Sequence, residues 1–271
     1  MIINSLNTNN IPCSVLILTF NSAQSLDKCL QSVNDFAEII INDGGSTDDT
    51  LDIARRHGCK IIIQDKKFKN VDGSIKDFSG LRNQLIANAK YEWVFILDSD
   101  EFVSKELVET IKGLDFNIKD NLYNISRKYL IEGKIIELSS TYPNYQIRLF
   151  NTITGTKYAK PIHEKLIFNM SSKVVKLNQS LYVPFPTFRE FKKKSLKYLN
   201  MQLKTWGALT FRSWFKWVFL WHLRASFGYF WRLFLIQFKH GKKLPLNYEL
   251  FQIYYNFLLI FRSLKLINKI K

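Results

Sequence analysis

The stretch Trp93-Val94-Phe95-Ile96-Leu97-Asp98-Ser99-Asp100-Glu101 decides how this chain is read. An unbroken apolar run ends in two aspartates one residue apart. A run this short and this apolar predicts a buried strand. Its end would carry both carboxylates to the rim of a sheet, where open α/β folds bind ligands. Two hard oxygen donors on a short loop suit a divalent metal that also holds a diphosphate. Asp-x-Asp alone is common, and a solvated cap ahead of Ser104 is the plain alternative. Its position after a strand is what gives it weight.

Working toward the N-terminus, residues 14–19, 38–42 and 60–63 are further apolar runs expected as strands. Helices are expected from about residue 25, from Thr47 or Asp48 to about 57, and over 78–89. Alternating strands and helices predict a parallel sheet wound with helices. Toward the C-terminus, Ser104 caps another helix, and after Gly113 the period changes. Residues 121–129 and 134–138 read as a hairpin turning at Glu132-Gly133, with short strands at 146–150, 165–168 and 174–177.

Composition divides the chain. Net charge is +16 over 271 residues. Residues 189–271 hold 17 Lys and Arg against two acids, Glu190 and Glu249, and five of the six tryptophans. Residues 1–188 are close to neutral. The expected organisation is therefore one domain over 1–188, in two parts at 12–113 and 114–188 divided where the period changes. A basic aromatic helical extension follows at 189–271. The start of the chain lacks the pattern of a signal peptide. Cys13, Cys29 and Cys59 lack metal spacing and are expected as free thiols.

Three predicted strand ends converge: Thr19-Phe20-Asn21, Asp43-Gly44-Gly45-Ser46 and Asp98-Ser99-Asp100. Consecutive strand ends in a parallel sheet line one crevice. Asp43 can accept hydrogen bonds from a base or ribose, and Gly44-Gly45 allows close backbone approach. A nucleotide fits. The dinucleotide fingerprint and the P-loop are both absent.

In their order, Thr-x-Asn, Asp-Gly-Gly-Ser-Thr-Asp, Arg82-Asn83 and Asp98-Ser99-Asp100-Glu101 resemble the family 2 glycosyltransferases of GT-A fold. Tyr142-Pro143-Asn144-Tyr145-Gln146-Ile147-Arg148-Leu149-Phe150, then Ile162-His163-Glu164, resemble the bacterial branch that adds glucose to the lipopolysaccharide or lipooligosaccharide inner core. The resemblance covers roughly residues 12 to 170. It implies an α/β GT-A fold, a Rossmann-like mainly parallel sheet flanked by helices, with a small antiparallel β segment and a helical C-terminal extension. It also implies a UDP-sugar donor, Mn²⁺ or Mg²⁺, and a lipid-linked or lipopolysaccharide-type acceptor.

Carried over by position, Thr19, Asn21 and Asp43 would hold the uridine, and Arg82 the uracil or diphosphate. Asp98 would contact ribose and the metal or its water, and Asp100 would ligate the metal, a Lewis acid for the leaving diphosphate. The loop reads Asn-Asp-Gly-Gly-Ser where many relatives have Asp-Asp-Gly-Ser or Asp-Ser-Gly-Ser, which leaves the register of the uracil contact open. Inversion needs a base for the acceptor hydroxyl. Glu164 is the first candidate and Glu101 the second, and His163 would complete the metal sphere. Ordinary loop roles are the alternative for His163 and Glu164. Gln146 and Arg148 alternate on a strand and should share one face, as a structural pair or as contacts to acceptor phosphate.

For residues 189–271, basic plus aromatic composition is also a nucleic-acid footprint, but no nucleic-acid motif accompanies it. A transmembrane span over 213–237 would place Lys216, Arg224 and Arg232 in the bilayer, each at about 2.5–3.5 kcal/mol. An interfacial helix on an anionic membrane is preferred, with packing on the catalytic domain or a homo-oligomer contact as alternatives. The expected place of work is cytoplasmic, peripheral on the inner face of the bacterial inner membrane. The second function class is a catalytically inactive nucleotide-sugar or polyanion-binding module.

Overall fold

Strands β1 (Ile11–Thr19) and β4 (Trp93–Asp98) are apolar along most of their length and pair in parallel. Strand β2 (Phe36–Asp43) takes the other edge of β1, and β3 (Lys60–Ile63) follows β2, again in parallel. Their alternating side chains feed two cores. Val15, Ile17, Phe95 and Leu97 pack on one face of the sheet, and Leu16, Ile40, Val94 and Ile96 on the other. A sheet covered on both faces accounts for uninterrupted apolar runs. The computed structural model describes residues 10–161 and 164–267.

Helices α1 (Ala23–Gln31), α2 (Thr50–Arg56) and α3 (Phe78–Asn88) make the crossovers. Asp49 occupies the cap position of α2, just beyond the expected Thr47 or Asp48. Asp48 instead accepts from Thr50 and from the Ala23 amide at 3.1 Å, joining two loops. Helix α4 (Lys105–Lys112) starts where the sequence puts it, with Ser104 accepting from the Leu107 amide at 3.1 Å.

The remaining strands are β5 (Phe102–Val103), β6 (Asn121–Ile131), β7 (Lys134–Ile135), β8 (Tyr145–Asn151), β9 (Lys157–Ala159), β10 (Lys165–Ile167) and β11 (Lys173–Pro184). The sheet runs β3-β2-β1-β4-β8-β6-β11-β5, with β8 antiparallel to β4 and β6. Strands β9 and β10 form a separate antiparallel pair. This is the mainly parallel α/β sheet with an antiparallel segment that the sequence predicts. Strands β5 and β9 are too short to show a period. Strand β11 is longer than expected because Asn178, Gln179 and Ser180 interrupt its apolar pattern.

Two units emerge from contacts along the chain: Met1–Arg127 with Asn144–Val183, and Lys128–Pro143 with Pro184–Lys271. In the second, α5 (Phe188–Thr205) opens with a capping box between Thr187 and Glu190. The stretch weighed as a span at 213–237 divides into α6 (Phe211–Trp214), a π-helical turn (Phe215–Phe219) and α7 (Leu220–Gln237), followed by α8 (Leu246–Ser263). Glu249 is buried there and accepts from both the amide and the hydroxyl of Ser140. No helix among the described residues is long and apolar enough to cross a membrane.

All three cysteines are free. Burial pushes the Cys59 thiol up to about 12 and raises Cys13 and Cys29 as well, which keeps them protonated and unreactive.

Phe95 has no exposed surface and stacks on Phe36 at 5.5 Å between ring centres. Phe95→Ala should lower the unfolding free energy by about 3–5 kcal/mol, read from the urea midpoint at unchanged slope.

Candidate active site

Strand register assembles the rim. Thr19 lies opposite Asp43, and Leu18 opposite Asp98. The loops after β1, β2 and β4 are stitched together by hydroxyls. Ser22 meets Ser99 at 3.0 Å, Ser25 donates to the Ser99 carbonyl at 2.9 Å, and the Ser22 amide donates to Thr50 at 2.7 Å.

The first loop pair is self-contained. The Asp43 carboxylate has no exposed surface and accepts four hydrogen bonds: from the Thr19 hydroxyl, the Gly45 and Ser46 amides, and the Ser46 hydroxyl. Burial works against its charge, but these donors outweigh burial and hold the carboxyl below its ordinary range. Asn21 sits at a left-handed φ of 48°, a conformation Asn tolerates. Its side chain accepts from the Thr47 amide at 2.9 Å, and its own amide donates to Ser46 at 2.8 Å. Thr19, Asn21 and Asp43 thus come together, each hydrogen-bonded within this loop pair.

Beside this loop lies a cavity of about 230 Å³ lined by Phe20, Gly44, Gln64, Lys69, Ile75 and Phe78 among others. A Cβ on Gly44 would stand 3.1 Å from the Phe20 ring and 3.2 Å from Gln64 Oε1, so a larger residue would make both side chains shift. Gln64 is buried. Its Nε2 faces two carbonyls, Thr19 at 3.4 Å and Asn42 at 3.2 Å, which fixes the amide orientation. Its Oε1 has no partner. Sequence reasoning passed over Gln64, whose only signal is a polar residue directly after an apolar strand.

At the end of β4, charges of both signs are packed together. Arg148, on β8, is 3% exposed and donates to Asp98 at 3.2 Å and Glu101 at 2.8 Å. Arg82, on α3, donates to Asp98 at 3.1 Å and to Glu164 at 3.0 Å, with its guanidinium 5.5 Å from the Tyr158 ring centre. Arg127 completes the set on Glu101 at 3.1 Å. Burial disfavours the Asp98 charge, but Arg148 and Arg82 prevail and hold its carboxyl well below the usual range. Glu101 goes the other way, raised by burial and by the Asp98 charge despite its arginines. Burial also opposes the charge of Arg82, yet Asp98, Tyr158 and Glu164 push its pKa up. Arg82 Nη1 and Arg148 Nε remain without partners.

A second cavity, of about 570 Å³, opens over this network, lined by Arg82, Gln146, Arg148, Tyr158, Glu164 and Lys165 among others. Gln146 and Arg148 share it, as their alternation predicts. Glu101 is 1% exposed and reaches no open surface. Arg127 and Tyr158 were not singled out by sequence. Arg127 carried a faint signal, a charge in a half-buried strand, and Tyr158 carried none. His163 lies outside the described residues.

Asp100 is exposed at the rim, just past the strand. Both oxygens of Asp98 already face arginines. Among the described residues no group of three or more His, Cys, Asp or Glu side chains is arranged to hold a metal. Mg²⁺-type sites need only one or two carboxylates when substrate phosphates supply further oxygens. In such a shared site Asp100 would be the protein ligand.

Residues 14–199 match the profile described as glycosyl transferase family 2. The SPbeta prophage-derived glycosyltransferase SunS of Bacillus subtilis is 40% identical over 159 residues, covering 58% of this chain and 35% of SunS. Poly(ribitol-phosphate) beta-N-acetylglucosaminyltransferase TarP of Staphylococcus aureus is 25% identical over 202 residues, 72% of this chain and 53% of TarP. Among solved structures, S. aureus TarS 1-349 in complex with UDP-GlcNAc aligns at a TM-score of 0.43 and 16% identity, over 64% of this chain and 58% of that one. The chain thus spans about a third of SunS and about half of TarP.

Asp43→Asn should destabilise the protein by about 2–3 kcal/mol at neutral pH, since charged acceptors anchor hydrogen bonds most strongly. The depressed Asp43 pKa makes this contribution full above the unfolded value of about 4, and it fades as pH falls through the folded value. Denaturant melts of both proteins from pH 7 downward should show the gap closing in acid.

Proposed function

The chain belongs to glycosyl transferase family 2, and on that premise we propose that it transfers a hexose from a UDP-sugar to a lipid-linked saccharide with inversion at the sugar carbon. Glucose and an acceptor of the lipopolysaccharide core type are the reading favoured by residues 142–150. The observation that carries the proposal is Glu164, with Arg82 holding its Oε1, in a roomy cavity beside the β4 rim. A lipid-linked acceptor sets the place of work at the inner face of the bacterial inner membrane.

The uracil belongs in the smaller cavity. Phe20 offers a ring to stack on, and the unpartnered Gln64 Oε1 offers an acceptor for a base N–H. Asp43, Thr19 and Asn21 support the nucleotide through the loop they shape. The diphosphate then runs along the rim toward Asp100 and the guanidinium groups of Arg82 and Arg148. Asp100 would hold Mn²⁺ or Mg²⁺ there, whose chemistry is to neutralise the leaving diphosphate. Asp98, locked between arginines, orients Arg82 and Arg148 toward that charge.

The acceptor hydroxyl enters the larger cavity. Glu164 takes its proton as the oxygen attacks the sugar carbon on the face opposite the diphosphate. The new carbon–oxygen bond forms, the bond to the diphosphate breaks, and its electron pair leaves with UDP. Glu101 is the weaker candidate for the base, being buried and shared between Arg127 and Arg148. Arg82, Arg148 and Lys165 in one cavity favour an acceptor that carries phosphate or another anion.

Two substitutions test this assignment. Asp100→Asn should cut Mn²⁺-dependent transfer by about 10²–10³-fold without lowering the melting temperature; full activity would remove Asp100 from the site. Glu164→Gln should cut transfer by about 10²–10⁴-fold while UDP-sugar still raises the melting temperature as in the native protein; normal transfer would reassign the base.

A further inference from the structure

In the second unit, the helical segment that includes α7 packs through its less aromatic side. Trp214, Val218, Ser226 and Ile236 are buried. His222 bonds Asn256 at 2.7 Å, and Trp214 donates to Ser263 at 2.8 Å. The opposite side carries the large rings. Trp217 and Trp221 are each 65% exposed, Trp231 51%, Phe227 68% and Phe238 72%. Their helical spacing keeps them on one side of the segment. An amphipathic helix of a globular protein turns such a face inward; here it faces out.

Whatever covers this face must take up aromatic rings and also meet cations. Lys216, Arg224, Arg232 and Lys239 are all exposed along the same segment. Lys216 Nζ lies 5.0 Å over the Trp217 ring. Residues 191–248 contain no Asp or Glu. A second copy of the chain would therefore set cation against cation. An anionic bilayer surface answers both demands, with rings at the headgroup boundary and basic ends on lipid phosphate. Since no described helix can span a membrane, the segment would lie in its plane.

We propose that the face formed by Trp217, Trp221, Phe227, Trp231 and Phe238 docks on an anionic lipid bilayer. Its purpose rests on the lipid-linked acceptor of the reading above, but the docking itself does not depend on transfer. The test is flotation of the full chain with vesicles of phosphatidylcholine alone or mixed equally with phosphatidylglycerol, at low and high salt. Association should be at least about tenfold stronger with the anionic vesicles and fall with salt. Trp221→Ser with Trp231→Ser should lose most of that binding, at native circular dichroism. Arg224→Gln with Arg232→Gln should weaken it and flatten its salt dependence. No anionic-vesicle binding, equal binding to both vesicles, or a solution dimer that Trp221→Ser with Trp231→Ser converts to monomer would each overturn the proposal. A chain that ignores vesicles yet transfers sugar to a soluble acceptor sinks docking alone. One that floats but never transfers sinks the transferase reading alone.

Discussion

Arg148 stands between two carboxylates, almost out of reach of water, and the rim of the sheet depends on that pairing. Buried charges are costly unless they are paired and hydrogen-bonded. Arg148 compensates Asp98 and Glu101 together, while Arg127 closes the other side of Glu101. The shifts of Asp98 and Glu101 belong to one crowded, buried charge set that shares Arg148. Through Arg82 the same network reaches α3 and the loop bearing Glu164. A strand, a helix and a loop distant in sequence are thereby held in one geometry, which positioned chemistry requires.

Around this network, acids of similar appearance in sequence do different work. Asp43 turns inward and organises its own loop. Asp98 and Glu101 anchor arginines. Asp100 remains exposed at the rim, and Glu164 lines the larger cavity. Phe20 and Gln64, just past the ends of β1 and β3, are among the residues lining the smaller cavity beside the Asp43 loop. In the proposed reading, the unpartnered Gln64 oxygen rather than the Asp43 carboxylate would meet a base N–H.

The parallel half of the fold was legible because its strands are buried on both faces and therefore read as apolar runs, as at 93–97. The convergence of Thr19, Asp43 and Asp98 followed from strand order, and the register bears it out. Long-range pairing was not legible. Nothing near Arg148 in sequence points to Asp98 or Glu101, and nothing near Asn83 points to Tyr158, which it meets through both ends of its side-chain amide. Strands of two or three residues, such as Phe102–Val103, carry no period. The stretch over 213–237 was legible as apolar and basic, but composition does not show which of its rings face outward.

The most direct test of this account is a crystal soaked with manganese and uridine diphosphate, measured at the manganese absorption edge. The account predicts an anomalous peak between the diphosphate and the Asp100 carboxylate, with the uracil against Phe20 and within hydrogen-bond reach of Gln64. A nucleotide bound elsewhere, or one bound here with manganese present in the crystal but remote from Asp100, would contradict it.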